Sequence, residues 1–179
     1  MANKQALRDL QTRLAERMQA ARSQPRSQSW LAVECRGHGL LLPLEQAGEI
    51  FALAPIMPVP HSQAWFAGVA NLRGGLHGVV DLSRFLGLPE SAQPESGREQ
   101  ARLIAFGAAL GLNGALLVDR LAGLRGSDQL QSQVDAGSAT LPTRPAFAPT
   151  RWLDASGRSW QALDLAALAR DARFLSIVA

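Results

Sequence analysis

The side chains that could carry chemistry are few and scattered. The 179 residues include three histidines and one cysteine. His38, His61 and His77 are 23 and 16 residues apart, so no two share the i, i+4 spacing that sets a pair of metal ligands on one helix face. Cys35 stands in an apolar run without an activating partner beside it, which reads as a small core residue rather than a nucleophile. Asp81 and Asp164 invite comparison with the paired carboxylates of acid–base catalysis. Each, however, closes an apolar run and precedes a short helical segment, where a carboxylate accepts free backbone N–H groups, so both read as helix N-caps. Gly74-Gly75-Leu76-His77-Gly78 has the glycines of a phosphate cradle but neither its lysine nor its helix, which leaves turn glycines. No catalytic group, metal site or cofactor motif is expected.

The elements that would position these residues follow from composition and patterning. The length suits one domain or two small ones packed together, and 47% hydrophobic residues exclude wholesale disorder. A lone cysteine excludes a disulfide framework. The net charge of +3 is uneven. Residues 1–30 hold Lys4, Arg8, Arg13, Arg17, Arg22 and Arg26 against Asp9 and Glu16, a balance of +4, whereas the remainder is close to neutral. Residues 6–21 read as an amphipathic helix with Leu7, Leu10, Leu14 and Met18 at spacings of three and four, and residues 23–29 as a linker around Pro25. The N-terminus has no apolar core of a secretory signal, and the uncharged run over residues 103–118 is too short and too rich in glycine to span a membrane. A cytoplasmic protein without direct membrane insertion is expected.

After residue 30 the pattern changes to short apolar runs separated by turn residues. Residues 30–35, 39–44, 50–53, 76–81, 102–106, 115–118 and 160–164 read as strands. Residues 89–100 and 126–150 read as loops, and short helices are expected over 82–86 and 165–172. A weak internal repeat matches residues 39–43 to 114–118 and residues 74–82 to 157–165. Two similar half-barrels in one chain would produce it.

The most distinctive stretch is Trp65-Phe66-Ala67-Gly68-Val69-Ala70-Asn71-Leu72-Arg73-Gly74, followed by Gly78-Val79-Val80-Asp81-Leu82. It reads as an aromatic-bearing turn, a glycine permitting close approach, a strand ending in a polar corner, and a strand running back into a helical turn. The planar guanidinium of Arg73 suits a carboxylate, and Glu49 is the partner expected. This segment resembles the chemotaxis coupling proteins, the CheW-like domain family, in its Gly-Val-x-Asn-Leu-Arg-Gly corner and following Val-Asp-Leu. The likeness extends over residues 28–175. The N-terminal segment, the Gly-Gly at 74–75 and the ending with Phe174-Leu175 are most similar to the family's members in type IV pilus (twitching motility) systems. The proline common before Val-Val-Asp is replaced by Gly78.

The resemblance implies an all-β fold of two SH3-like five-stranded barrels around a shared apolar core. It implies residues 1–27 as a helix and linker and residues 28–179 as the domain, its two subdomains intertwined. It implies a non-catalytic adaptor coupling the cytoplasmic tip of a methyl-accepting chemoreceptor to the regulatory domain of a CheA-type histidine kinase, recruited to receptor arrays at the membrane. The interface, or its support, would comprise Glu49, Ile50, Gly68, Val69, Asn71, Leu72, Arg73 and Gly74. The alternative is a small β-barrel binding nucleic acid through its basic N-terminal helix. Against it, the barrel residues show no stripe of basic and aromatic side chains, so no nucleic acid is expected as a partner.

Overall fold

A computed structural model describes residues 28–89, 98–133 and 145–179. The helix expected over 6–21 lies outside them. The described chain forms two antiparallel-rich sheets. One is six-stranded, in the order β8 (Arg120–Gly126), β1 (Ser29–Cys35), β2 (His38–Pro43), β11 (Ser159–Ala162), β10 (Arg151–Asp154) and β9 (Leu130–Gln133). The other is five-stranded, in the order β3 (Ala47–Ala52), β6 (Arg102–Phe106), β7 (Gly114–Val118), β5 (Gly75–Asp81) and β4 (Phe66–Leu72).

These orders make the internal repeat legible. Each half of the chain supplies a hairpin to one sheet and its remaining strands to the other, three from the first half and four from the second. β1 and β2 stand where β6 and β7 stand in the second sheet, with β11 and β5 packed parallel to β2 and β7. β3 leaves its own hairpin to pair with β6, and β8 returns from the second half to pair with β1. Both exchanged strands carry a bulge, between Ala47 and Ile50 in β3 and opposite Ala32 and Val33 in β8. The two matched segments of the sequence repeat fall on β2 and β7, and on β5 and β11 with the helices that follow.

Burial explains why the strands read as unbroken apolar runs. One face of β1 and β2 (Trp30, Ala32, Leu41) packs inside the first curled sheet with Trp160. The other face (Leu31, Val33, Leu40, Leu42) joins Val80, Ile104, Phe106, Leu116 and Val118 of the second sheet in a central core. Ala70, Leu72, Val79, Leu103 and Ala115 fill the interior of the second sheet. A strand buried on both faces has no polar alternation to show. The fold is all-β, with two barrels around a shared core.

Three short helices close the barrels: α1 (Leu82–Phe85), α2 (Leu165–Leu168) and α3 (Ala172–Leu175). Asp81 accepts from the Arg84 N–H and Asp164 from those of Ala166 and Ala167, so both are N-caps. The helix expected over 165–172 is broken in two, because Asp171 caps a new turn that carries Phe174 into the central core. There Phe174 stacks on Trp65 and meets Phe85 and Phe106 edge to face. The region expected as a loop over 126–150 contains β9, whose polar Leu-Gln-Ser-Gln gives no strand signal and whose structure comes from pairing with β10.

Candidate functional site

Asn71-Leu72-Arg73-Gly74 is the β4–β5 hairpin corner, a two-residue turn with Leu72 paired to Gly75. Both central residues have positive φ, 50° at Arg73 and 86° at Gly74, the geometry that matches the twist of flanking strands. The Asn71 side chain holds the turn by accepting the Gly74 N–H at 2.8 Å. No atom lies within 4 Å of where a Cβ would stand on Gly74, so its requirement is conformational only. Gly68 differs, since a Cβ there would stand 2.1 Å from the Met57 carbonyl oxygen. That carbonyl accepts the Val69 N–H at 2.9 Å and Met57 donates back to Val69 at 2.8 Å, so the 53–65 connection is laced to β4 at the glycine. Val69 is half-buried on this seam and Leu72 is buried inside the barrel.

Arg73 reaches Glu49, with Nη2 2.7 Å from Oε1. β3 and β4 are the two edges of the five-stranded sheet, so this ion pair ties its edges together at one corner. The β3 bulge brackets Glu49, and bulges re-aim side chains in this way. Both partners are accessible, at 75% and 42%. Ile50 next to Glu49 and Leu76 opposite Asn71 are exposed apolar side chains flanking the pair. The corner offers a fixed charge pair rimmed by apolar surface and has no reactive group.

A second charge cluster escaped the sequence reading. Glu34, only 7% exposed, accepts from Arg120 Nε at 2.7 Å and from Arg158 Nη1 at 2.6 Å. Burial pushes the Glu34 carboxyl up, but the hydrogen bonds and charges of Arg158 and Arg120 outweigh it and hold it below its ordinary value. Arg158 also lies 4.6 Å over the Trp160 ring, whose indole donates to Asp154. Hydrogen bonds from Ser156 and Trp160 hold the Asp154 carboxyl low. This cluster ties the exchanged strand β8 to the β10–β11 corner, as Glu49–Arg73 ties β3 to the β4–β5 corner. The signal available was a carboxylate inside an apolar strand, which must be paired if that strand is buried on both faces.

The other residues raised by the sequence do not converge. His38 starts β2, His61 lies in the 53–65 connection, and His77 on β5 has Nδ1 3.0 Å from the Gly75 carbonyl oxygen. No group of three potential metal ligands forms among the described residues. Cys35 is fully buried, and that burial, with the nearby Asp119 charge, pushes its thiol far above the usual range. A cleft of about 750 Å³ lies between β2, β11 and the end of α1, but Arg158 and Arg173 on its wall are engaged, by Glu34 and by the Phe85 carbonyl.

The family model of the CheW-like domain matches residues 29–173. The chain belongs to the CheW-like domain family. The match spans both sheets and includes the Glu49–Arg73 corner. Among curated proteins, PilI of Pseudomonas aeruginosa (strain PAO1) is 31% identical over 117 residues, covering 64% of this chain and 60% of PilI. The match thus spans less than two thirds of that relative. Among solved structures, the scaffolding protein TtCheW of Thermoanaerobacter tengcongensis superposes with a TM-score of 0.63 at 16% identity, over 84% of this chain and 97% of that one. At that identity the likeness shows the CheW-like fold. Among the described residues, no helix is long and apolar enough to cross a membrane.

Proposed function

We propose that this protein is a non-catalytic adaptor that couples a methyl-accepting chemoreceptor to a CheA-type histidine kinase in a chemotaxis-like pathway controlling type IV pilus twitching motility. The observation that carries this reading is the Glu49–Arg73 corner, an accessible charge pair on rigid strand ends, rimmed by exposed Ile50 and Leu76, in a CheW-like domain. The similarity to PilI supports the pilus output. In this reading Glu49, Ile50 and Arg73 face a partner, while Gly68, Val69, Asn71, Leu72 and Gly74 hold the corner in shape. Residues 1–27 form an appended segment and residues 28–179 the coupling domain, working in the cytoplasm at membrane-associated receptor arrays. The mechanism is then linkage: contacts that differ between two receptor states bias the kinase. Weak barrel-edge contacts gain strength from multivalency.

The test is calorimetric titration of the full chain with the regulatory domain of a CheA-type kinase from the same organism, then with a receptor-tip peptide. Saturable binding by the wild type, lost in Arg73→Glu at unchanged melting temperature, is the expected result. A folded protein that binds neither partner overturns the adaptor reading. Undiminished binding by Arg73→Glu overturns the role of the corner alone.

A further inference from the structure

The outer face of the first sheet changes character where the second barrel stops covering it. Along β11, Trp160 and Ala162 point into the first barrel, so Ser159, Gln161 and Leu163 point the other way. Register sets Gln161 beside Leu40 of β2 and beside Arg151 of β10, on that same outer face. Leu40 and Leu163 are buried there in the shared core. Past them the face carries His38, Arg151, Ser159 and Gln161, which form a polar wall of the cleft of about 750 Å³. The apolar lining comes from Leu86 and Leu88 at the end of α1 and from Phe147.

Charge around this cleft is unbalanced. Arg151, Arg158 and Arg173 line it together with one carboxylate, Asp171, which is committed to capping α3 through the Phe174 N–H. Arg36 adjoins them, its Nη1 2.7 Å from the Leu88 carbonyl oxygen. Arg158 and Arg173 are engaged by Glu34 and by the Phe85 carbonyl. Arg151 differs: among the described residues its exposed guanidinium has no hydrogen-bond or ion-pair partner, and neither has the Ser159 hydroxyl. The Gln161 amide nitrogen donates to the Thr150 and Ala162 carbonyls, both at 3.0 Å, which fixes the side chain and leaves its oxygen free to accept.

We infer that this cleft binds a small aromatic phosphate, the chemistry that a mononucleotide shares with other aryl phosphates. Arg151 takes the phosphate, and Leu86, Leu88 and Phe147 hold the ring. Concave sites of this size, apolar with a few placed polar groups, are the form that small-molecule sites take. A guanidinium matches phosphate oxygens bidentately, and one without a carboxylate of its own has no ion pair to give up. The surrounding guanidiniums favour a doubly charged phosphate over a singly charged carboxylate. The Ser159 hydroxyl and the Gln161 oxygen supply a donor and an acceptor to the ring edge. The ligand would touch both barrels, since β2, β10 and β11 belong to the first sheet and α1 follows β5 of the second. Its binding therefore fastens the two together and raises the melting temperature by mass action. The inference goes beyond the adaptor reading and does not depend on it.

Calorimetric titration of the full chain tests it, with 1-naphthyl phosphate, adenosine, guanosine and uridine monophosphates, 1-naphthol and inorganic phosphate as probes. At least one aromatic phosphate should bind saturably at one site per chain, with 1-naphthol and inorganic phosphate at least about tenfold weaker, since each lacks one half of the recognition. Arg151→Ala should weaken binding about tenfold, as loss of a charge-assisted contact does, and leave the melting temperature of the free protein unchanged. Ser159→Asp, which sets a negative charge at the cleft mouth, should weaken it likewise and serves if the first variant disturbs folding. Amide shifts of the labelled protein on titration should centre on residues 37–40, 147–151 and 159–163. A preference for one nucleotide over 1-naphthyl phosphate assigns the site to nucleotides, and equal binding assigns it to aryl phosphates at large; both support the inference. Saturable binding by none of the aromatic phosphates overturns it. So does binding that neither variant weakens, or that shifts amides elsewhere. Inorganic phosphate binding as tightly as the aromatic phosphates would show an adventitious ion only, and overturns it too.

Discussion

Arg73 and Glu34 are both charged residues at strand corners, yet solvent makes them different instruments. The Glu49–Arg73 pair is exposed on both sides, and such pairs contribute about 0–1 kcal/mol. Its geometry therefore matters more for recognition than for stability. Arg73 also sits at φ 50°, a conformation that costs a non-glycine residue on the order of 1 kcal/mol and that asparagine tolerates better. Arg73→Asn should consequently leave the melting temperature unchanged or slightly raised while weakening partner binding, which separates the side chain's contact from its backbone. Glu34 behaves oppositely. Its depressed carboxyl stabilises the fold fully above the ordinary glutamate value of 4.5, and that contribution is lost as pH falls through the lower folded value. Glu34→Gln should lower stability at neutral pH by about 2 kcal/mol, since it leaves two arginines facing a neutral amide. Denaturant titrations from neutral to acid pH should show the wild type converging on the variant, because Asp154 titrates in both and cancels. A constant gap across that range would mean that Glu34 is not charge-coupled to Arg120 and Arg158.

The corner works as an element because two glycines serve different constraints. Gly74 needs only a positive φ, and Gly74→Ala should cost about 1 kcal/mol with the surface intact. Gly68 needs space against backbone atoms, so Gly68→Ala must push the 53–65 connection off β4. It should cost several times more in denaturant titrations and increase hydrogen exchange at Met57 and Val69, whereas Gly74→Ala should not. Equal losses in the two variants would refute the close approach as the reason for Gly68. The aromatic turn before it serves the same element, since Trp65 is wedged between Phe85 and Phe174 and its carbonyl accepts the Asp81 N–H.

At the scale of the molecule, the exchange of β3 and β8 makes each barrel depend on both halves of the chain. Neither hairpin can complete its barrel without the strands that the other half sends over, and the central core is shared. Unfolding should therefore be a single cooperative event. Trp30, Trp152 and Trp160 lie in the first sheet and Trp65 beside the central core, so a Trp65→Phe variant reports the first barrel by fluorescence while far-ultraviolet circular dichroism reports both. Coincident urea transitions are expected, and separated midpoints would show that the barrels fold independently. Native Cys35 should resist alkylation until the same transition, since it faces the shared core.

Legibility in the sequence divides along the range of the interactions. Local chemistry was enough for the strands with unbroken apolar runs, for the Asp81 and Asp164 caps, and for the Asn-Leu-Arg-Gly corner, because each depends on a few consecutive residues. Even the Glu49–Arg73 pair could be anticipated, from a guanidinium at a fixed corner and a carboxylate one strand earlier. β8, β9 and β10 could not be. Arg-Leu-Ala-Gly-Leu-Arg-Gly and Leu-Gln-Ser-Gln have turn-like or polar compositions, and they are strands because β1 and β10 offer them an unpaired edge. The Glu34 cluster joins residues 86 and 124 positions apart, and only the exchange of strands between halves brings them within hydrogen-bond range. Composition and periodicity record what a segment prefers alone. Which edge it completes, and which buried charge it must satisfy, is settled when the two sheets close around their common core.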